Sequence, residues 1–109
     1  MTDTDTGEGH DSMMSEPDQA DLIADAVTAV PGVVGLHAGM FGEVATYLPG
    51  HRVAGIRTNP DGVTEVHVTL RYGMPVRDTA ARVRDAAAAV VGGVVDVTVE
   101  DVVTETSAS

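Results

Sequence analysis

The chain contains no Cys, Lys or Trp, and its aromatic side chains are one Phe and two Tyr. Without Cys, disulfides, thiolate metal sites and a Cys nucleophile are excluded together. Without Lys, six Arg face 17 acids, and the formal charge is -11. A balance of that sign repels phosphate backbones, so no nucleic-acid partner is expected. Apolar runs are also short, and none approaches the roughly 20 residues that cross a bilayer as a helix. The opening "MTDTDTGEGHDS" has neither a basic n-region nor an apolar h-region. The expectation is a cytoplasmic protein with no direct membrane insertion.

What is present fits one small domain, because 109 residues do not bury two cores. Residues 1–19 carry Asp3, Asp5, Glu8, Asp11, Glu16 and Asp18 with no Arg and no Val, Ile or Leu, which predicts a disordered acidic tail. With those acids and Glu105 set aside, 10 acids remain against six Arg over 20–103, so the folded part is only mildly acidic. Residues 104–109 read as a flexible C-terminal tail.

Between the tails the hydrophobic period changes repeatedly. Ser15 with Asp18 three residues on is a capping-box variant with Pro17 in the first turn, and Leu22, Ile23, Ala26, Val27 and Val30 recur at helical spacing until Pro31-Gly32. "GVVGLHAG" reads as a strand over 33–37. Two strand-like runs flank Thr58-Asn59-Pro60-Asp61-Gly62, a hairpin turn. The second run puts Val66, Val68, Leu70 and Tyr72 on one face and Glu65, His67, Thr69 and Arg71 on the other. An Ala-rich segment then carries Val76, Ala80, Val83, Ala87 and Val90 as one stripe, and Gly92-Gly93 ends it. Last comes "VVDVTVEDVV", with Val95, Val97 and Val99 inward and Asp96, Thr98 and Glu100 outward. Strand, helix, strand implies a crossover between parallel strands. The expected class is α+β: two helices on one face of a small mixed three- to four-stranded sheet, in the order α-β-β-β-α-β. A core of Val, Ala, Ile and Leu at this size gains from self-association, so a homo-oligomer is expected.

Candidate chemistry is sparse. None of His10, His37, His51 and His67 stands in a close metal-ligand motif, and GxSxG, P-loop and Rossmann patterns are absent. No cofactor or metal is expected, and no catalytic site. His67, flanked on its face by Glu65 and Thr69, reads as a surface His. Glu43 and His51 would make an acid and base pair only if their loop folded back. Gly39-Met40-Phe41-Gly42 matches the GxxG loop of KH domains, which makes a KH-like RNA-binding module the competing class. Met and Phe at its centre, and Glu43 directly after it, oppose a phosphate clamp.

The stretch "GMFGEVATYLPGHR", 39–52, is too apolar for an ordinary loop. On one reading Phe41, Val44 and Leu48 fill the end of a core short of large side chains. On the other, Phe41, Tyr47 and Leu48 stand at the surface rimmed by Glu43, His51 and Arg52, and dock another protein. The two readings can hold for different residues of the stretch.

Three segments resemble the alkaline shock protein family, the envelope stress response proteins, in the small form common in actinobacteria. They are "AVTAVPGVVGLHAG", "VTEVHVTLRYGMPVRDTAARVRDAAAAV" and "VVDVTVEDV". The resemblance covers about 20–103, and its most specific piece is the junction from Tyr72-Gly73 to Val76. There Gly73 allows a sharp turn, Pro75 suits a helix start, and Tyr72 is expected to pack under the turn. The resemblance implies a non-enzymatic scaffold or adaptor of cell-envelope stress, self-associating and held at the membrane by a membrane-anchored partner. It transfers no catalytic residue.

Overall fold

Ala20, Ile23 and Val27 lie three and four residues apart, a spacing that puts them on one side of a helix. The computed structural model, which describes residues 18–104, buries all three on α1 (Gln19–Thr28). Leu22, expected in the same stripe, is exposed. The cap is Asp18, whose carboxylate accepts the Ala20 N–H at 2.9 Å. That satisfies one of the donors a helix start leaves orphaned. Asp18 therefore takes the role expected of Ser15, which lies outside the described residues. So do residues 1–17 of the expected acidic tail, and residues 105–109 at the other end.

The elements that follow are β1 (Val33–Leu36), β2 (Ala45–Leu48), β3 (His51–Ala54), β4 (Ile56–Thr58), β5 (Thr64–Arg71), α2 (Val76–Val91) and β6 (Val95–Val103). The class is α+β, with five strands before the second helix where the sequence suggested three. One added strand is β2, which lies in the apolar stretch 39–52; the other arises at Gly55, which divides one apparent strand into β3 and β4. Gly55 stands at φ 83, and a Cβ there would come within 2.9 Å of the His67 carbonyl oxygen. Before it, β3 pairs back on β2 in a separate two-stranded sheet; after it, β4 pairs with β5.

β5 organises the main sheet. On one edge it pairs with β6, parallel and along its whole length. On the other edge β1 and β4 lie end to end, both antiparallel to it. They meet at His67, whose N–H donates to the Gly55 carbonyl at 2.8 Å while its carbonyl accepts the His37 N–H at 2.9 Å. Alternation along β5 is strict: Thr64, Val66, Val68 and Leu70 are buried, and Glu65, His67, Thr69 and Arg71 lie on the other face.

Both helices cover the buried face. α1 packs on β1, β3 and β4, α2 packs on β5 and β6, and the helices touch each other. The core between them consists of Val, Ala, Ile and Leu. On α2 the buried residues are Thr79, Val83 and Ala87, while Val76, expected in the stripe, is exposed. Thr79 is tolerated in the core because its hydroxyl donates to the Pro75 carbonyl at 2.8 Å. In β6 the register shifts: Val68 pairs with Val99 but Thr69 with Asp101, so Glu100 is an inserted residue. Unbroken alternation after Val99 would have pointed Asp101 into the core. The bulge instead keeps it on the polar face.

Gly55→Ala is expected to cost about 2–4 kcal/mol in urea denaturation, since a Cβ is both strained and obstructed by main chain there. Gly62→Ala, at φ 91 with nothing within 4 Å of the added carbon, should cost only about 1 kcal/mol. Equal losses would show that close approach at Gly55 contributes nothing.

Candidate functional site

All three aromatic side chains stand in solvent: Phe41 is 86 % exposed, and Tyr47 and Tyr72 are each 71 % exposed. Aromatic side chains ordinarily supply much of a core's burial, and here the core does without them. The reading in which Phe41 fills the core is overturned. Of that trio Val44 is buried and Leu48 is half-buried against the core.

The hairpin β2–β3 explains how the stretch divides. Leu48-Pro49-Gly50-His51 turns with Gly50 at φ 86, the pattern of a type II turn. The register then sets Tyr47 opposite Arg52 and Leu48 opposite His51. Opposed residues share a face. Leu48 packs inward and the His51 Nε2 lies 3.2 Å from both carboxylate oxygens of Asp21 on α1, so that face is turned to the helix. Tyr47 and Arg52 occupy the opposite, exposed face.

Phe41 and Glu43 belong to the preceding turn. Glu43 folds back so that its carboxylate accepts the Phe41 N–H at 3.1 Å. The Gly39 N–H donates to His37 Nδ1 at 2.9 Å, and the Gly42 N–H to the Gly39 carbonyl at 3.1 Å. A GxxG clamp needs free amides and positive surroundings for phosphate. At this turn three amides are taken, one of them by a carboxylate. Met40 and Phe41 project from it into solvent. The candidate residues Phe41, Glu43, Tyr47, Leu48, His51 and Arg52 thus form two groups, a turn and a hairpin. Glu43 and His51 do not pair with each other; each binds a different partner.

A polar cluster that the sequence left unassembled lies on the helix-free face. Glu65 accepts from Asn59 Nδ2 at 2.6 Å and from Arg57 Nη2 at 3.1 and 3.2 Å. His67 Nε2 lies 3.1 Å from Glu65 Oε1, and His67 Nδ1 lies 2.6 Å from Glu100 Oε2. An imidazolium supplies an N–H to both carboxylates, whereas neutral imidazole supplies one. His67 is therefore no isolated surface His. Its second partner was hidden because Glu100 reaches it only through the bulge. The Asn59 amide, foremost, and then His67 and Arg57 hold the Glu65 carboxyl below its ordinary value against the opposing cost of burial.

No Ser, Cys or Lys occurs between positions 18 and 104. Among the described residues, no group of three or more His, Asp or Glu is arranged to hold a metal ion. Nor is any helix there long and apolar enough to cross a membrane.

At the junction before α2, Gly73 turns at φ 99 and Pro75 is the N-cap. Both act as the sequence suggested. Tyr72 does not pack under the turn: its N–H donates to the Val103 carbonyl at 2.6 Å, while its ring is exposed. With Met74, Pro75, Val76 and Val102 it lines an open apolar groove of about 580 Å³.

Comparison with protein families, curated proteins and solved structures finds no match to this chain.

Because the Glu65 value is lowered on folding, its contribution to stability is fully present above the ordinary value of 4.5 and is lost as pH falls through the lower folded value. Denaturation at a series of pH values should show this loss, and Glu65→Gln should flatten the curve in that acidic window. An unchanged slope in the variant would remove the cluster from the acid response.

Proposed function

We propose that the protein is a non-enzymatic adaptor or scaffold associated with envelope stress, acting through self-association and a membrane-anchored protein partner. It works in the cytoplasm and is held at the membrane by that partner. The observation that carries this reading is the surface placement of every aromatic, above all Tyr47 facing solvent directly opposite Arg52. Tyr and Arg, with Trp, are the residues enriched where interfaces concentrate their binding energy. Here they sit on the β2–β3 hairpin, anchored from behind by Leu48 and by the His51–Asp21 pair. Truncating the front face therefore leaves the anchoring face intact.

The adaptor reading also agrees with the chemistry available. The polar cluster at His67 consists of groups already bonded to one another, with no Ser, Cys or Lys nucleophile in the described residues. The resemblance to the alkaline shock proteins supplies the cellular setting. The amide occupancy of the Gly39-Met40-Phe41-Gly42 turn supports it over an RNA clamp.

The test is a pull-down from detergent-solubilised membranes, comparing the native protein with a folded Tyr47→Ala, Arg52→Ala variant. Native protein should retain a membrane protein, and the variant should hold it about tenfold or more weakly. Sedimentation equilibrium should show association of the native chain. Retention of nothing by either protein, together with a strict monomer, would overturn the proposal.

A further inference from the structure

Among the described residues, the two edges of the main sheet differ. On one side, the hairpin reaches β4 and the end of β1: the Thr46 hydroxyl donates to the Ile56 carbonyl, and the Val44 N–H to the carbonyl of Ala38, just past β1. On the other side, β6 pairs with β5 alone among the described residues. A nine-residue strand with an unpaired edge is the feature that proteins ordinarily shorten, cover or charge.

Hydrogen bonds identify which groups face outward. The Val94 carbonyl accepts from the Thr64 N–H, and the Val103 carbonyl from the Tyr72 N–H, so both point to β5. Directions alternate along a strand, which turns the N–H and C=O of Val95, Val97 and Val99 away from β5. Beyond the bulge Val102 also faces out, but its N–H is taken by the Asp101 carboxylate at 2.8 Å. The open edge is therefore the run 95–99, closed at one end by the bulge and by Asp101.

Its two faces differ chemically. Val97 and Val99 are only half-buried against the core, and Val94 beside them is exposed. On the other face are Asp96 and Thr98, followed by Asp101, all exposed, with no basic residue anywhere on the strand. A second copy pairing here would set these acids against one another, and like charges across strands are destabilising. A strand with aliphatic side chains on one face and basic ones on the other would cover Val97 and Val99 and neutralise Asp96 and Asp101.

We propose that the β6 edge over 95–99 is a strand-addition site for an extended protein segment that alternates aliphatic and basic side chains. Main-chain hydrogen bonds to Val95, Val97 and Val99 supply the pairing, and the flanking acids select the partner's charge. This surface is separate from the Tyr47–Arg52 face and stands whether or not the envelope-adaptor reading does.

The test uses the full chain, labelled for amide NMR, with a short capped peptide alternating Val and Lys. A scrambled peptide of the same composition, with its Val and Lys in two blocks, controls for simple charge attraction. The alternating peptide should shift and protect from exchange the amides of Val95, Val97 and Val99, and bind about tenfold more tightly than the scrambled one. Asp96→Lys should weaken it about fivefold. Val97→Pro, which removes an outward N–H and no bond to β5, should abolish pairing while the protein stays folded. Equal binding of the two peptides, or no shift at these amides, overturns the proposal. So does protection of the same amides without peptide that rises with protein concentration, since the edge then holds a second copy.

Discussion

The main chain of His67 bridges the sheet at the point where two short strands share one edge of β5. β1 and β4 are too short to span β5 alone; each pairs with its own half of β5, and where the halves meet His67 bonds the residue that flanks each, Gly55 with its N–H and His37 with its carbonyl. Two strand ends and the β5 backbone converge there, and Gly55 is what lets them approach. The hairpin β2–β3 follows from the same geometry. Once Gly55 diverts the chain, the residues before it must pair elsewhere or leave buried polar groups unmet. Pairing back on β2 meets that demand and carries Tyr47 and Arg52 to the surface.

A core of small aliphatic side chains and a surface bearing all the aromatics are two sides of one choice. Val and Ala fill the narrow space between two helices and a sheet of three strands' width, where a ring would force the layers apart. Leaving Phe41, Tyr47 and Tyr72 in solvent forgoes their burial, which for a small domain is a sizeable stabilisation. Such a loss is tolerable where the side chains meet a partner.

Regular elements were legible because their period is local. Strict alternation marked β5, and the Ala-rich stripe ending at Gly92-Gly93 marked α2. What escaped depends on distance. Gly55 reads like any glycine in a strand until the His67 carbonyl is placed beside it. Glu100 looks like one more outward residue, although the Glu100-Asp101 doublet is the sign of a bulge, since alternation without it would bury an acid. Phe41 was misplaced in one reading because hydrophobicity alone does not say which side of a turn a residue takes. Of the candidate residues, Leu48 and His51 face the body of the protein, and Tyr47 and Arg52 face away. That split is fixed by the hairpin register, which two-residue turns determine only once both flanking strands are known.

The parallel pairing of β5 with β6 also bears on how the chain reaches its fold. β4 and β5 are hairpin neighbours and close over a short loop, whereas the other edge of β5 waits for β6, beyond the whole of α2. Until β6 arrives, the alternating surface of β5 has one full-length unpaired margin, the side that non-local contacts complete last. During synthesis the growing chain therefore carries β5 half-paired for the time taken to make about 30 further residues, at ordinary elongation rates a few seconds. Glu65 and Arg71 on its polar face place charge beside that margin, which opposes pairing with other chains.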